Sequence, residues 1–215
     1  MDAQFWHRRW QANEIGFHLA EANPLLLKHF DALGLSKGNR IFLPLCGKTL
    51  DIGWLIGKGF HVVGAELNAQ AVEQLFKALR LEPVISSTGS LKKYSAEHID
   101  IYQGDLFDLS KAELGLVDAV YDRAALIALP GSMREAYVKH LMMLTDKARQ
   151  LVITMNYDQR LLEGPPFSVS AEELAEHYAG YYRLEQLGDY PIEGGLKGKC
   201  PANEQVWLLT ARVSE

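Results

Sequence analysis

With 215 residues, 48% of them hydrophobic and 23% charged, the chain has enough apolar material to fill the core of one α/β domain, and residues 1–215 read as a single unit. Its formal charge is −5 and its 22 Lys and Arg residues form no run, which excludes the basic footprint of a nucleic-acid or anionic-membrane binder and leaves a small molecule as the expected partner. Only two cysteines occur, Cys46 and Cys200, without a second Cys or His at ligand spacing, so neither a disulfide framework nor a zinc site is expected and a reducing, cytoplasmic setting fits.

The chain begins Met1-Asp2-Ala3-Gln4-Phe5-Trp6-His7-Arg8-Arg9-Trp10, without the apolar core of a signal peptide. No later run approaches the roughly 18 apolar residues of a membrane span. Residues 5–35 carry large aromatics and a helical apolar pattern around Leu25, Leu26 and Leu27, more than a disordered tail needs. Residues 1–36 are therefore expected to cap the ligand-binding edge of a sheet. From Arg40 onward, short apolar runs alternate with longer amphipathic segments, the signature of parallel strands with helices on their faces. Strands are predicted at 41–45, 61–66, 99–103, 119–122, 151–155, 183–190 and 206–213, and helices at 49–57, 69–79, 133–144 and 171–177. That makes a seven-stranded, doubly wound, Rossmann-like α/β sheet. The last two strands follow one another through Gly194-Gly195-Leu196-Lys197-Gly198, which suits an antiparallel pair at a sheet edge. Gly164-Pro165-Pro166 reads as a loop.

The stretch Ile41-Phe42-Leu43-Pro44-Leu45-Cys46-Gly47-Lys48-Thr49-Leu50-Asp51 runs from a buried strand through a turn into a helix. Open α/β sheets bind ligands at this carboxyl end, where a helix N-terminus offers N–H groups and Gly47 lets a ligand approach the backbone; turn geometry alone is the plainer use of that Gly. The turn is not a phosphate loop, because Phe42 stands where the second Gly belongs, and Leu45 and Leu50 break the dinucleotide G-x-G-x-x-G pattern. Glu66 ends the second strand 19 residues after Gly47, where nucleoside-binding sheets set an acid against ribose hydroxyls; a solvated strand end is the alternative. After the third and fourth strands stand Gly104-Asp105-Leu106-Phe107-Asp108 and Tyr121-Asp122-Arg123-Ala124-Ala125. All these polar groups fall on one edge. Asp105 can accept from an adenine amino group with Leu106 packed on the ring, while Asp122 and Arg123 either pair with each other or meet the ligand. Cys46, with no base to activate it, reads as a small buried hydrophobe. The seven histidines show no H-x-x-x-H pairing, so no metal is expected.

Together with Trp6-x-x-x-Trp10, Gly16-Phe17-His18, Val63-Gly64-Ala65-Glu66, Phe107-Asp108-Leu109, Asp122-Arg123-Ala124-Ala125-Leu126 and Gly164-Pro165-Pro166-Phe167, these pieces stand in one order along nearly the whole chain. In them the sequence resembles the thiopurine S-methyltransferase family in its bacterial form. The resemblance implies a seven-strand methyltransferase fold, a monomer, S-adenosyl-L-methionine as methyl donor, and transfer to the sulfur of a thiopurine or an aromatic or heterocyclic thiol. It further implies that Trp10, Leu45, Glu66 and Arg123 contact the donor, that Asp105 and Leu106 touch its adenine, and that Phe17 lies on the substrate side. Gly47 belongs to the same cofactor turn, and Phe167 to a segment that can roof the substrate pocket or pack in the core. Ala124 stands where the family carries the Gly of Asp-Arg-Gly.

The residue types suit that chemistry. An indole face attracts a cation such as a sulfonium by roughly 0.5–2 kcal/mol, the role expected of Trp10, while Trp6 stacks or packs. Methyl transfer is an in-line displacement in which alignment lowers the barrier by roughly 7–11 kcal/mol. A thiol that ionises easily needs little help from a base, which accounts for the missing Ser-His-Asp, Cys-His and paired-carboxylate patterns and leaves Arg123 to stabilise the thiolate. Two other functions stay open: a methyltransferase for selenium or tellurium oxyanions or another small soft nucleophile, and an S-adenosylmethionine-binding module without turnover. A nicotinamide dehydrogenase fails on the missing glycine fingerprint.

Overall fold

The computed structural model describes residues 3–16 and 18–212. In chain order the elements are α1 (Ala3–Gln11), α2 (Pro24–His29), β1 (Arg40–Leu43), α3 (Asp51–Gly57), β2 (His61–Glu66), α4 (Ala69–Leu79), β3 (Val84–Thr88), β4 (Leu91–Ala96), β5 (Ile99–Gln103), α5 (Lys111–Leu114), β6 (Ala119–Arg123), α6 (Gly131–Leu144), β7 (Arg149–Tyr157), α7 (Ala171–Tyr178), β8 (Tyr182–Pro191) and β9 (Ala202–Ala211). The strands form one sheet in the order β3-β4-β5-β2-β1-β6-β7-β9-β8. Its centre, β5-β2-β1-β6-β7, is parallel, and β1 and β2 at its middle are mostly apolar and buried because helices cover both faces.

Among the described residues the sheet has nine strands, which corrects the expected seven. The two additional strands, β3 and β4, form an antiparallel hairpin beside β5. β3 is exposed along almost its whole length, so it has no buried face to impose an alternating apolar pattern on Val84-Ile85-Ser86-Ser87-Thr88. The Gly-rich stretch does join an antiparallel pair at a sheet edge, β8 and β9, in which β8 is the edge strand and β9 lies inside the sheet between β7 and β8. β9 also starts four residues earlier than predicted, at Ala202, and α3 starts two residues later, at Asp51.

On one face α6 and α7 bury Tyr137, Leu141 and Tyr178 against Val120, Val152 and Trp207. On the other, α2, α3 and α4 bury Leu26, Ile52 and Leu75 against Ile41, Tyr121, Ile153 and Val206. The N-terminal segment is part of this second core. Asn23 caps α2 by accepting from the N–H groups of Leu25 and Leu26, Pro24 fits the first helical position, and Leu26 and Leu33 are wholly buried. Each such leucine contributes about 1.5–3 kcal/mol, enough to dock the cap on the sheet. Among the described residues, no helix is long and apolar enough to cross a membrane.

Candidate functional site

Strand order reverses at β1, which has β2 on one side and β6 on the other. A crevice at such a point is where open α/β sheets bind ligands. Backbone strain collects there too. Leu45, in the turn after β1, has φ 48°, and Ala124, in the turn after β6, has φ 61°, both in the left-handed region that residues with a Cβ avoid at about 1–2 kcal/mol each. Ala124→Gly is accordingly expected to stabilise the free protein by up to about 1 kcal/mol, the relief of strain exceeding the entropy that Gly adds to the unfolded chain. Urea unfolding measures it, and an unchanged or lowered midpoint would refute the strain argument.

Glu66 ends β2 as expected and is 6% exposed. One carboxylate oxygen accepts from Gly47 N–H at 2.8 Å and the other from Asn68 N–H at 2.7 Å. A single side chain thereby ties the turn after β1 to the turn after β2. Burial nevertheless dominates and pushes its carboxyl from the usual 4.5 to about 7, against the opposing pull of those backbone N–H bonds. Each oxygen keeps a lone pair, so the pair can still accept two hydroxyl donors. The N–H of Gly47 serves Glu66 rather than a ligand. Because α3 begins only at Asp51, the turn is longer than a direct strand-to-helix junction. The backbone of Glu66 also accepts from Gly104 N–H at 3.0 Å, which brings the third turn, with Asp105 and Leu106, beside the first two. There Asp105 accepts from Phe107 N–H, and Leu106 is buried.

Trp10, on α1, is buried at 4% exposure, and the ammonium of Lys48 stands 5.9 Å from its ring centre. Lys48 is held in turn by Gln74 at 2.7 Å, and His7 of α1 meets the Asn68 side chain at 3.0 Å. α1 thus lies over the first two turns, its indole face already placed beside a cation. The buried carboxylate of Asp51 joins the cap to the sheet, accepting from Asn23 N–H at 2.6 Å and from the Tyr121 hydroxyl at 3.1 Å. Cys46 is buried, and burial, then Glu66, pushes its thiol well above the usual 9.0, so it stays a neutral packing group as expected.

Asp122 and Arg123 point to opposite faces of β6. Asp122 is wholly buried and accepts from the Tyr137 hydroxyl at 2.6 Å and Leu126 N–H at 3.0 Å, so it braces the turn and does not pair with Arg123. Arg123 follows Tyr121 on the face that carries the cap. His18 lies within electrostatic reach of Lys48, Arg123 and Asp51; burial, then the two cations, lower its pKa from 6.5.

Trp10, Leu45, Gly47, Glu66, Asp105, Leu106 and Arg123 therefore belong to four adjacent turns and the helix above them. Phe17 lies outside the described residues. Phe167 lines a different hollow, an open crevice of about 610 Å³ bounded by Gly131, Arg134, Gln159, Glu163 and Ser168, with the Arg134 guanidinium 5.7 Å from its ring. None of the proposed cofactor residues borders that crevice. Lys48 and Asp51 carry no individual signal of a site role in the sequence, whereas Asn68, directly ahead of a helical run, is recognisable as an N-cap. Among the described residues no group of three or more His, Cys, Asp or Glu side chains can hold a metal. A buried carboxylate with lone pairs for a diol fits the ribose of a nucleoside.

A family model described as thiopurine S-methyltransferase matches residues 1–209. The chain is 52% identical over 210 residues to the thiopurine S-methyltransferase of Xanthobacter autotrophicus, covering 97% of this chain and 99% of that one. It is 50% identical over 209 residues to the thiopurine S-methyltransferase of Gluconobacter oxydans, with coverage of 97% and 95%. In fold it is similar to the Burkholderia thailandensis 1,6-didemethyltoxoflavin-N1-methyltransferase solved with S-adenosylhomocysteine, at a TM-score of 0.65 and 13% identity, covering 97% of this chain and 87% of that one.

Proposed function

Since the chain belongs to the thiopurine S-methyltransferase family, we propose that its carboxyl-edge site holds S-adenosylmethionine through Glu66 and Trp10 and directs the methyl group to the sulfur of a thiopurine or related heterocyclic thiol. The chain is an S-adenosylmethionine-dependent methyltransferase. The observation that carries the site assignment is Glu66, a buried carboxylate that ends β2 at the switch point with lone pairs to spare. When bound, the donor supplies an electrophilic methyl group on a sulfonium. Glu66 accepts the two ribose hydroxyls, each charge-assisted bond contributing about 1.5–3 kcal/mol. Leu45 and Gly47 shape the turn beneath, and Asp105 and Leu106 meet the adenine. Trp10 offers its face to the sulfonium and, with the rest of the cap, excludes water. Arg123 orients the nucleophile and stabilises its thiolate, with Phe17 assigned to the substrate side, whereas Phe167, which lines the separate crevice beside Arg134, is left out of that role. We extend the proposal to a single-domain monomer, with residues 1–36 as its cap, acting in the cytoplasm; a formal charge of −5 without basic runs supports small molecules and not nucleic acid as its partners.

The test is release of S-adenosylhomocysteine when the purified protein meets S-adenosylmethionine with 6-mercaptopurine, and separately with selenite, each beside a Glu66→Ala control. Turnover of the thiopurine that the control loses is expected. Turnover with selenite alone would move the substrate to metalloid oxyanions, and cofactor binding without any turnover would leave a binding module.

A further inference from the structure

β9 enters the sheet at its carboxyl edge, where Ala202 pairs with Tyr157 at the end of β7 and Glu204 pairs with Met155. Arg123, Ile153 and Val206 lie in register across β6, β7 and β9. Strand alternation puts Arg123 on the face of Tyr121 and Glu204 on the face of Val206, and those two residues share one core. The Glu204 backbone therefore stands two strands across from that of Arg123, about 10 Å, and two residues nearer the rim, about 7 Å. Both side chains rise from the same face of the sheet at its carboxyl edge, near enough for the charge of Arg123 to act on the Glu204 carboxyl. Glu204 is half-buried, and among the described residues its carboxylate takes no hydrogen bond. Burial pushes its carboxyl above the usual 4.5, with Arg123 pulling against the shift. The other titratable groups around it are Tyr121 on β6 and Tyr190, its cross-strand partner on β8, whose hydroxyl is bonded to His29. A half-buried carboxylate that accepts no protein hydrogen bond keeps its lone pairs for a donor on a ligand, and ionisable groups so placed concentrate at working sites.

We propose that Glu204 is the proton acceptor for substrates that arrive as thiones, with their proton on the ring nitrogen beside the C=S carbon. The inference rests on the thiopurine reading and extends it to a chemical form of the substrate. In such a ring the sulfur becomes a full nucleophile only as the N–H proton leaves. The substrate S–CH3 bond forms while the donor's sulfonium–CH3 bond breaks, its electron pair staying on the donor sulfur. The N–H pair becomes the ring C=N bond, C=S becomes C–S, and the proton goes to a Glu204 carboxylate oxygen. One positive and one negative charge vanish together, a neutralisation that a site shielded from water favours. Arg123 serves the sulfur end of the thioamide and Glu204 the nitrogen end.

Two substrates tested on the whole protein separate this role from a structural one: 6-mercaptopurine, which carries the ring proton, and 4-nitrothiophenol, which is ionised in neutral buffer and brings none. Glu204→Gln is expected to lower kcat/KM for 6-mercaptopurine about 10²-fold, shifting the ratio between the two substrates by a similar factor. Glu204→Asp, which keeps the carboxylate, should restore part of that ratio. Calorimetric titration with S-adenosylhomocysteine should give wild-type affinity for both variants. Equal losses on both substrates, or no loss on 6-mercaptopurine, would overturn the proposal alone. A wild-type protein inert toward both would overturn the thiopurine reading and this inference with it.

Discussion

Replacing Glu66 with Gln is expected to weaken S-adenosylhomocysteine binding about 10²-fold at pH 8, because two charge-assisted bonds to the ribose become neutral ones. The same substitution should change how the free protein responds to pH. Burial holds the folded carboxyl at about 7 against 4.5 when unfolded, so between those values the folded chain binds more protons than the unfolded one. Stability therefore falls as pH rises from about 4.5 to about 7, by up to about 3 kcal/mol, and stays low above that. Gln does not titrate, so this component disappears in the variant. Urea unfolding of both proteins at pH 5 and pH 8 measures it, and a wild-type-minus-variant difference that does not move with pH would contradict the assignment. Ligand binding should carry the opposite sign. Ribose hydroxyls donate to the ionised carboxylate, so wild-type affinity should climb through pH 7 while the variant's stays flat.

Arg123→Ala is expected to lower kcat/KM about 10²- to 10³-fold, the usual loss when a group aimed at the charge of the reacting nucleophile is removed. Affinity for S-adenosylhomocysteine should change less than about tenfold, the worth of one hydrogen bond. The split follows from position: Arg123 closes β6 on the cap face, with Glu204 two strands away and His18 within its field, whereas the cofactor carboxylate Glu66 is on β2 beyond β1. Arg123→Lys keeps the charge without the planar fork and should recover part of the rate. A variant that loses cofactor affinity but keeps kcat would sink the thiolate role.

What the sequence disclosed tracks how local each signal is. Glu66 was legible because an acid closing an apolar strand stands out, and Gly47 because a Gly after such a strand marks a turn. The partnership between them needs the register of β1 against β2. β3 and β4 stayed hidden because a hairpin exposed on its outer strand leaves polar and apolar residues unsorted. Glu204 was hidden for another reason. Asn203-Glu204-Gln205 reads as polar loop, and only pairing with β7 and β8 shows it to be strand and partly withdrawn from water. Asp122-Arg123 is an instructive case, since adjacent residues on a strand face opposite ways and so could not both serve the ligand.

The short bond from Asn23 N–H to the buried Asp51 carboxylate gives the chain a clock of its own. That amide has no contact with water while the cap is docked, so its deuterium exchange counts the occasions on which the cap lifts. Its proton, pulled toward a carboxylate, should resonate downfield of most other amides, in company with the Asn68 amide bonded to Glu66. One signal would thus time the opening of the cap without a label, a ligand or a substitution.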